Sequence, residues 1–309
     1  MPKDKVTKVF WFFFSKKNTH FLLQKETKTS GRLSFLRGVP WPAIGTLVAV
    51  LVFAAGGEDL LPHDPGELDL GAAFLPPFWL DGGSLAAPLG ADNLGRDILS
   101  RIMAGCRVSV IVAFYAILFS GSIGALIGMI AGYFGGRVDA TLMRFIEIQQ
   151  SIPAIALALI LAAALEPGLP TVVIVIVLTY WAWYARIIRG EILALKGRDY
   201  IAFARVAGVS TPVIFARHLL PNIFNTLVVL ATLQVGQVIL FEASLSFLGL
   251  GIQQPDISWG LMLSDARQYI TNAWWAITMP GIAIMLTCLS ANVFGDWLRD
   301  RLDPNLRQL

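Results

Sequence analysis

Residues Val108 to Tyr133 read VSVIVAFYAILFSGSIGALIGMIAGY, an apolar run without one charged side chain. A helix rises 1.5 Å per residue, so this run is long enough to cross the roughly 30 Å hydrocarbon core of a bilayer. Comparable runs lie at Trp41 to Ala55, Phe145 to Leu165, Thr171 to Ile188, Ile223 to Phe247 and Trp274 to Val293. They predict an all-α polytopic membrane protein with about six transmembrane helices. Composition agrees. Of 309 residues, 56% are hydrophobic and 15% charged, and the mean hydropathy is +0.66, too apolar for a soluble domain of this length. The first span is the shortest, bordered by Pro40, Trp41 and the Gly56-Gly57 pair.

Basic residues near the span ends set the expected orientation. Lys16, Lys17, Lys25, Lys28, Arg32 and Arg37 precede the first span, whereas Glu58, Asp59, Asp64, Glu67, Asp69 and Asp81 dominate the loop after it. The N-terminus is therefore expected in the cytoplasm. Six spans then return the C-terminus there, and they place the loop holding Arg186, Arg189, Lys196, Arg198, Arg205 and Arg217 on the same side. Arg96, Arg101 and Arg107 run against this bias. The expected division is a cytoplasmic segment over 1–38, a first span over 39–57, an extracytoplasmic loop with an amphipathic helix over 58–105, a five-helix core over 106–298 and a tail over 299–309. The Phe10–Phe14 tract is too short to span the bilayer, leaving an interfacial anchor or an overextended start site.

The net charge of +3 is accounted for by orientation, so no nucleic-acid partner is implied. Cys106 and Cys288 fall at or within spans and read as small buried hydrophobes rather than a disulfide pair. His63 beside Asp64 is too small a ligand set for a metal site. A Gly-x-x-x-x-Gly-Lys-Ser/Thr phosphate loop is absent from the sequence, so a bound ATP is not expected on this chain.

Between Ala202 and Pro221 a polar interruption separates two long apolar runs. Gly208 suits the left-handed turn that ends a helix, Ser210 and Thr211 suit capping of the next, and Pro212 its first turn. Two short helices joined by a tight turn are expected, with Pro221 marking the start of the next span. The spacing resembles the coupling loop of ABC-importer permeases, Glu-Ala-Ala, three residues, Gly, nine residues, Ile-x-Leu-Pro. Ala204, Gly208, Leu220 and Pro221 match it, while Ala202 stands where Glu is usual, Phe203 for the first Ala and His218 for Ile. The dipeptide/oligopeptide branch is a closer resemblance, through Asp199, Tyr200, Ala204, Arg205, Gly208, Arg217, His218, Leu220, Pro221 and Asn222.

A second resemblance lies in the loop after the first span. In Pro88–Arg101, Ile98 and Leu99 recur with Ile102 and Met103 at helical spacing while Arg96, Asp97, Ser100 and Arg101 fill the other side, which predicts an amphipathic helix at the interface. The string is similar to a signature of dipeptide/oligopeptide/nickel permeases, with Gly90-Ala91-Asp92 where Gly-Thr-Asp is usual.

These resemblances imply a type I ABC-importer permease fold in a bacterial inner membrane. They imply pairing with a second homologous permease, two cytosolic ABC ATPase subunits that use ATP and magnesium, and a periplasmic or lipid-anchored substrate-binding protein. They also imply peptide cargo, with nickel as the alternative, and no cofactor on this chain. The Asp199–Pro221 loop would couple to the ATPases, with Ala202 to Ala207 in a groove there and Arg205 and Arg217 facing acidic residues. A secondary transporter would need paired acidic residues in its spans or doubled broken helices, which the sequence lacks, and a membrane scaffold would leave the loop unexplained.

Three features inside the spans complete the reading. Gly124, Gly128 and Gly132 fall four apart and form a ridge for close helix packing. Gln234 and Gln237 are candidate pathway-lining residues, or interhelical glue. Glu242 lies further along the same run, where it either reaches the interface or, since the stretch Glu242–Gly249 resembles one at the outer end of this span in the family, serves an external gate or receptor-facing role rather than a proton relay.

Overall fold

The computed structural model describes residues 38–302. The chain divides into a unit Met1–Val39, of which only Gly38 and Val39 are described, and a unit Pro40–Leu309 that holds every element below. The Phe10–Phe14 tract, the basic residues before Gly38 and the tail after Leu302 lie outside the described residues.

Helices α1 (Trp41–Gly56), α2 (Ile98–Phe134), α3 (Gly136–Ser151), α4 (Ala154–Ala163), α5 (Leu169–Lys196), α6 (Asp199–Val206), α7 (Thr211–Ile214), α8 (Leu220–Phe247), α9 (Trp259–Ala266) and α10 (Trp274–Leu302) follow in order. α2, α5, the continuous run Thr211–Phe247 and α10 are each long and apolar enough to cross a membrane, and α1 is a shorter apolar helix. The remaining run is broken. Its halves α3 and α4 meet at a bend of 86°, because Pro153 lacks the N–H that would continue the ladder and its ring excludes a helical predecessor. The six hydrophobic segments are thus present, but Phe145 to Leu165 is not one straight span.

Two other expectations are corrected. Residues 98–105 form no separate interfacial helix; they are the first turns of α2, whose 37 residues extend about 55 Å and overreach the hydrocarbon core. The second helix of the Asp199–Pro221 loop does not stop before the next span either. α7 passes through a π-helical turn, Phe215–Leu219, straight into α8. Leu220 N–H donates to the Phe215 carbonyl five residues back, and this wider turn relieves the clash that Pro221 would cause with an ordinary helical carbonyl.

α2 packs most extensively on α5, along the glycine ridge. A Cβ on Gly124 would strike the Trp181 carbonyl oxygen, one on Gly128 would stand 2.6 Å from the Ala185 carbonyl oxygen, and one on Gly132 would stand 2.8 Å from Ile192. Backbone atoms cannot yield as a side-chain tip can. Gly128→Leu is therefore expected to destabilise at or above the upper end of the usual overpacking range of about 1–3 kcal/mol. It should lose the monodisperse peak in fluorescence-detected size-exclusion chromatography, whereas Gly190→Ala, where the Cβ position is open, should keep it.

Buried side chains gather in two large clusters, with a small third one of Ile146 against Ala182 and Ala185. One cluster joins α1, the start of α2, α4, the start of α5, the end of α8, α9 and α10 around Val112, Ile176 and Trp259. The other joins the far ends of α2 and α5 to the loop through Tyr133, Ile192, Ile201, Ile214, Leu219 and Ile223. The long helices carry exposed apolar side chains such as Leu118, Ile174, Leu240 and Leu289 on their outer faces, as surfaces in contact with lipid tails require.

Candidate functional site

α6 ends in a Schellman turn. Gly208 takes φ +72°, its N–H donates to the Arg205 carbonyl at 3.0 Å, and the Val209 N–H donates to the Ala204 carbonyl at 3.0 Å. Ser210 occupies the cap position of α7 through its backbone, its carbonyl accepting from Val213 and Ile214 N–H at 3.0 Å each. Its side chain makes no capping bond, so the expected hydroxyl cap is replaced by Pro212 in the first turn.

The loop has an inner and an outer face. Ile201, Ala204, Ile214 and Leu219 are buried in the second cluster. Burial of Ala204 removes it from the stretch expected in a partner's groove. Phe203 and Val206, 72% and 89% exposed, stand on the outer face with Ala202 and Ala207. Arg205 lies over the Tyr133 ring, 4.5 Å from its centroid, a cation–π contact inside the chain where an acidic partner residue was expected. Tyr133 also meets Phe215 edge-on at 5.2 Å, so both arms of the loop rest on the end of α2. Asp199 starts α6 in the open, Arg217, Leu220 and Pro221 are exposed, and the His218 carbonyl accepts from the Asn222 amide at 2.6 Å. The Tyr200 and His218 rings stand 6.3 Å apart, which brings the two ends of the loop together.

At the opposite end of α2 the polar side of Pro88–Arg101 is not solvated. Asp92, Arg96, Asp97, Ser100 and Arg101 are all buried. Asp92 Oδ1 accepts from the Leu94 and Arg96 N–H groups at 2.8 and 3.1 Å, and its Oδ2 accepts from Arg96 Nε at 2.7 Å and Arg101 Nη1 at 3.0 Å. Asp265 of α9 faces both guanidinium groups at 3.6 and 3.8 Å. Burial holds its carboxyl above the ordinary range, against the opposing pull of Arg101 and Arg96. Asp97 caps α2, accepting from Ser100 N–H at 2.9 Å and Ser100 Oγ at 2.6 Å. Ser100 Oγ in turn accepts the His63 N–H at 3.0 Å, and the His63 ring lies 3.7 Å from Asp97, so His63 serves this knot and does not pair with Asp64. Two tryptophans fasten the same cap: Trp259 Nε1 donates to the Ile102 carbonyl at 2.9 Å and Trp275 Nε1 to the Ala91 carbonyl at 3.2 Å.

Sequence reasoning missed this knot, since a buried ionic face and a solvated one share the same helical period. Arginines on the side that the charge bias disfavours were the available signal.

Gln234 and Gln237 are not brought to one surface. Gln234 is 2% exposed and its amide has no hydrogen-bond partner among the described residues, while Gln237 is exposed. Glu242 does not reach the interface. It is fully buried and accepts from Ser246 Oγ at 2.7 Å, which also accepts the Ile252 N–H at 3.0 Å, so it ties the α8–α9 connection down. A cavity of about 760 Å³ is a groove between α1, α2, α8 and α10, reaching Tyr184 of α5 and lined by residues such as Leu47, Phe114, Leu118, Phe224 and Phe294. That lining matches hydrocarbon rather than a polar solute.

Long apolar helices with a buried ionic cap at one end and an apolar-tipped knob at the other have the organisation of a multi-pass membrane protein. Its fold is that of an ABC-importer permease: a chain of the MetNI methionine ABC transporter in an inward-facing conformation superposes with a TM-score of 0.54 at 17% identity, covering 66% of this chain and 96% of that one. The chain belongs to the family described as binding-protein-dependent transport system inner membrane component, which matches residues 124–308. Similar proteins include a di/tripeptide transport system permease of Pseudomonas aeruginosa, 40% identical over 86% of this chain and 88% of that one. A probable D,D-dipeptide transport system permease of Escherichia coli is 37% identical over 91% and 94%, and a nickel transport system permease of the same species 39% identical over 84% and 92%.

Proposed function

We propose that this chain is a permease subunit of an ATP-driven peptide importer, forming half of the solute path and receiving the ATPase stroke at the Asp199–Pro221 loop. The observation that carries the reading is the loop itself: a Schellman turn presents Phe203 and Val206 outward on a base sunk into the second cluster. Exposed apolar side chains on a preformed knob, away from the lipid-facing surfaces, suit a partner's hydrophobic groove. Both termini and this loop face the cytoplasm in this reading, supported by the basic residues around them.

The helix after Gly208 runs unbroken to Phe247, so a displacement of the knob is delivered along α8. Arg205 and Phe215 bind the knob to Tyr133 of α2, and the glycine ridge binds α2 to α5. Closure of an ATPase dimer on ATP and magnesium would therefore move three long helices as one body and open the path alternately to the two sides. The expected partners are a second homologous permease, two cytosolic ABC ATPases and a substrate-binding protein at the far end. Peptide cargo is supported by the di/tripeptide and D,D-dipeptide relatives. The nickel permease relative favours nickel as the second reading.

Affinity capture of the tagged protein in mild detergent, with mass spectrometry of what is retained, tests the assembly. Recovery of a second six-span chain and of ATPases with phosphate-loop motifs is expected. Recovery of the folded chain alone would refute the importer reading.

A further inference from the structure

The groove between α1, α2, α8 and α10 runs the height of a bilayer. Its wall on α2 extends from Val110 to Met129 and its wall on α8 from Leu220 to Ile239, each a helical rise of ~28 Å against a hydrocarbon core of roughly 30 Å. Leu47, Val50 and Leu51 of α1 and Thr287, Ala291 and Phe294 of α10 close its sides, and no acidic or basic side chain among the described residues lines it. Phe114, Leu118, Leu126 and Phe224 are exposed along it. A hydrocarbon chain lying between four helices touches protein on several sides, whereas one on the outer face of a single helix touches it on one. The dispersion contacts add up accordingly.

At the end toward the knob, three of the walls continue into arginine. One turn past Met129, α2 reaches Tyr133, whose ring carries Arg205 at 4.5 Å. About one turn before Leu220 stands the exposed Arg217. On α10, Phe294 is followed on the same face by Leu298 and Arg301, and Arg301 lies over the Trp297 ring, 5.8 Å from its centroid. α1 opens nearby in sequence with the exposed Trp41. The neighbouring acidic residues do not share these faces: Asp296 and Asp300 fall on the opposite side of α10, and Glu191 accepts from Thr226 at 3.0 Å. At the far end Arg107 stands one turn before Val110, while Arg96 and Arg101 are taken up by Asp92 and Asp265. Apolar walls that give way to tryptophan and guanidinium groups suit, in that order, an acyl chain, the interface and a phosphate.

We propose that this groove is a site for an anionic phospholipid of the cytoplasmic leaflet, with an acyl chain along its knob-side half and the phosphate held by Arg217 and Arg301, with Arg205 adding to the field. The leaflet rests on the cytoplasmic placement of the knob in the reading above; the chemistry of the lipid does not. An anionic headgroup is preferred to a zwitterionic one because no choline or ammonium in the same headgroup offsets its phosphate. A partner's transmembrane helix would also fill the apolar walls, but it would leave the arginines without a counter-charge. The bound lipid would touch α1, α8 and α10 together, and α8 is the helix that continues from the knob.

The test is native mass spectrometry of the full-length protein, released from mild detergent after exposure to equal amounts of dioleoyl phosphatidylglycerol and dioleoyl phosphatidylcholine. The phosphatidylglycerol adduct should exceed the phosphatidylcholine adduct several-fold, and Arg217→Gln and Arg301→Gln should each cut that preference about fivefold. Arg144→Gln, at an exposed arginine outside the groove, should leave it unchanged. Ser122→Trp, from an exposed position on the groove wall, should remove the adducts of both lipids while the protein stays monodisperse. Equal retention of the two lipids by wild type, or a preference that survives the loss of both arginines in a folded protein, would overturn the proposal. So would a crosslink in native membranes from Ser122→Cys to a second membrane chain, which would assign the groove to a partner helix. Labelling of Val206→Cys by an impermeant maleimide from outside intact cells would refute the cytoplasmic placement of the knob, and with it the leaflet named here, whatever the lipid selectivity.

Discussion

Arg101→Ala will lower the thermal midpoint of the detergent-solubilised protein more than any other single truncation in the cap. Arg101 is 2% exposed and its guanidinium reaches Asp92 at 3.0 Å and Asp265 at 3.8 Å. Removing it leaves Arg96 alone between two carboxylates. Breaking a buried pair by deleting one partner typically destabilises by about 3–5 kcal/mol, since the remaining charge stays desolvated. Arg267→Ala, an exposed neighbour, should stay within about 0.5 kcal/mol. The pH dependence has a defined sign. Asp265 already has a raised carboxyl in the folded chain, with burial as the main cause, and loss of Arg101 raises it further. A carboxyl raised by folding favours the folded state when protonated and loses that advantage as pH rises through its folded value. The deficit of Arg101→Ala should therefore shrink toward acidic pH. A midpoint equal to wild type at neutral pH would show that the knot does not hold the cap.

Gly208→Asp will abolish ATP-driven uptake while leaving the protein folded in the membrane. The two effects separate because of where Gly208 lies. Its φ of +72° is a conformation that a Cβ disfavours by about 1–2 kcal/mol, yet that Cβ would meet no atom of the chain within 4 Å, so the fold absorbs the change. A charge beside the outward Phe203 and Val206, in contrast, would be buried in any docked complex. Gly208→Ala isolates the strain and should retain uptake within about tenfold, the equivalent of roughly 1.4 kcal/mol. Uptake and ATPase co-purification are the two readouts, and wild-type behaviour of Gly208→Asp in both would remove the knob from the coupling mechanism.

How far the fold was legible depended on whether the signal was local. Six apolar runs coincide with six hydrophobic segments because membrane insertion acts on a window of about 20 residues and asks only for apolarity. The Gly208 turn was legible because a left-handed residue followed by a proline-started helix is decided within ten residues. Pro153 was visible inside Phe145–Leu165, with Gln149, Gln150 and Ser151 just before it, but length and hydropathy outweighed it. Pro221 misled in the other direction, since a π turn let the helix pass through it.

The sequence by itself determined the class of protein, the number of hydrophobic segments and the local shape of the knob, all of which follow from hydropathy, periodicity and backbone preference over short windows. Only the tertiary structure decided that Arg96 and Arg101 are buried against Asp265, that Ala204 is buried while Arg205 lies over Tyr133, that Gln234 and Gln237 part company, and that Gln149, just before the α3–α4 break, is tied to the Leu178 carbonyl. Each of these depends on a partner distant along the chain, and burial, unlike helical period, is a property of what packs against a face rather than of the residues on it.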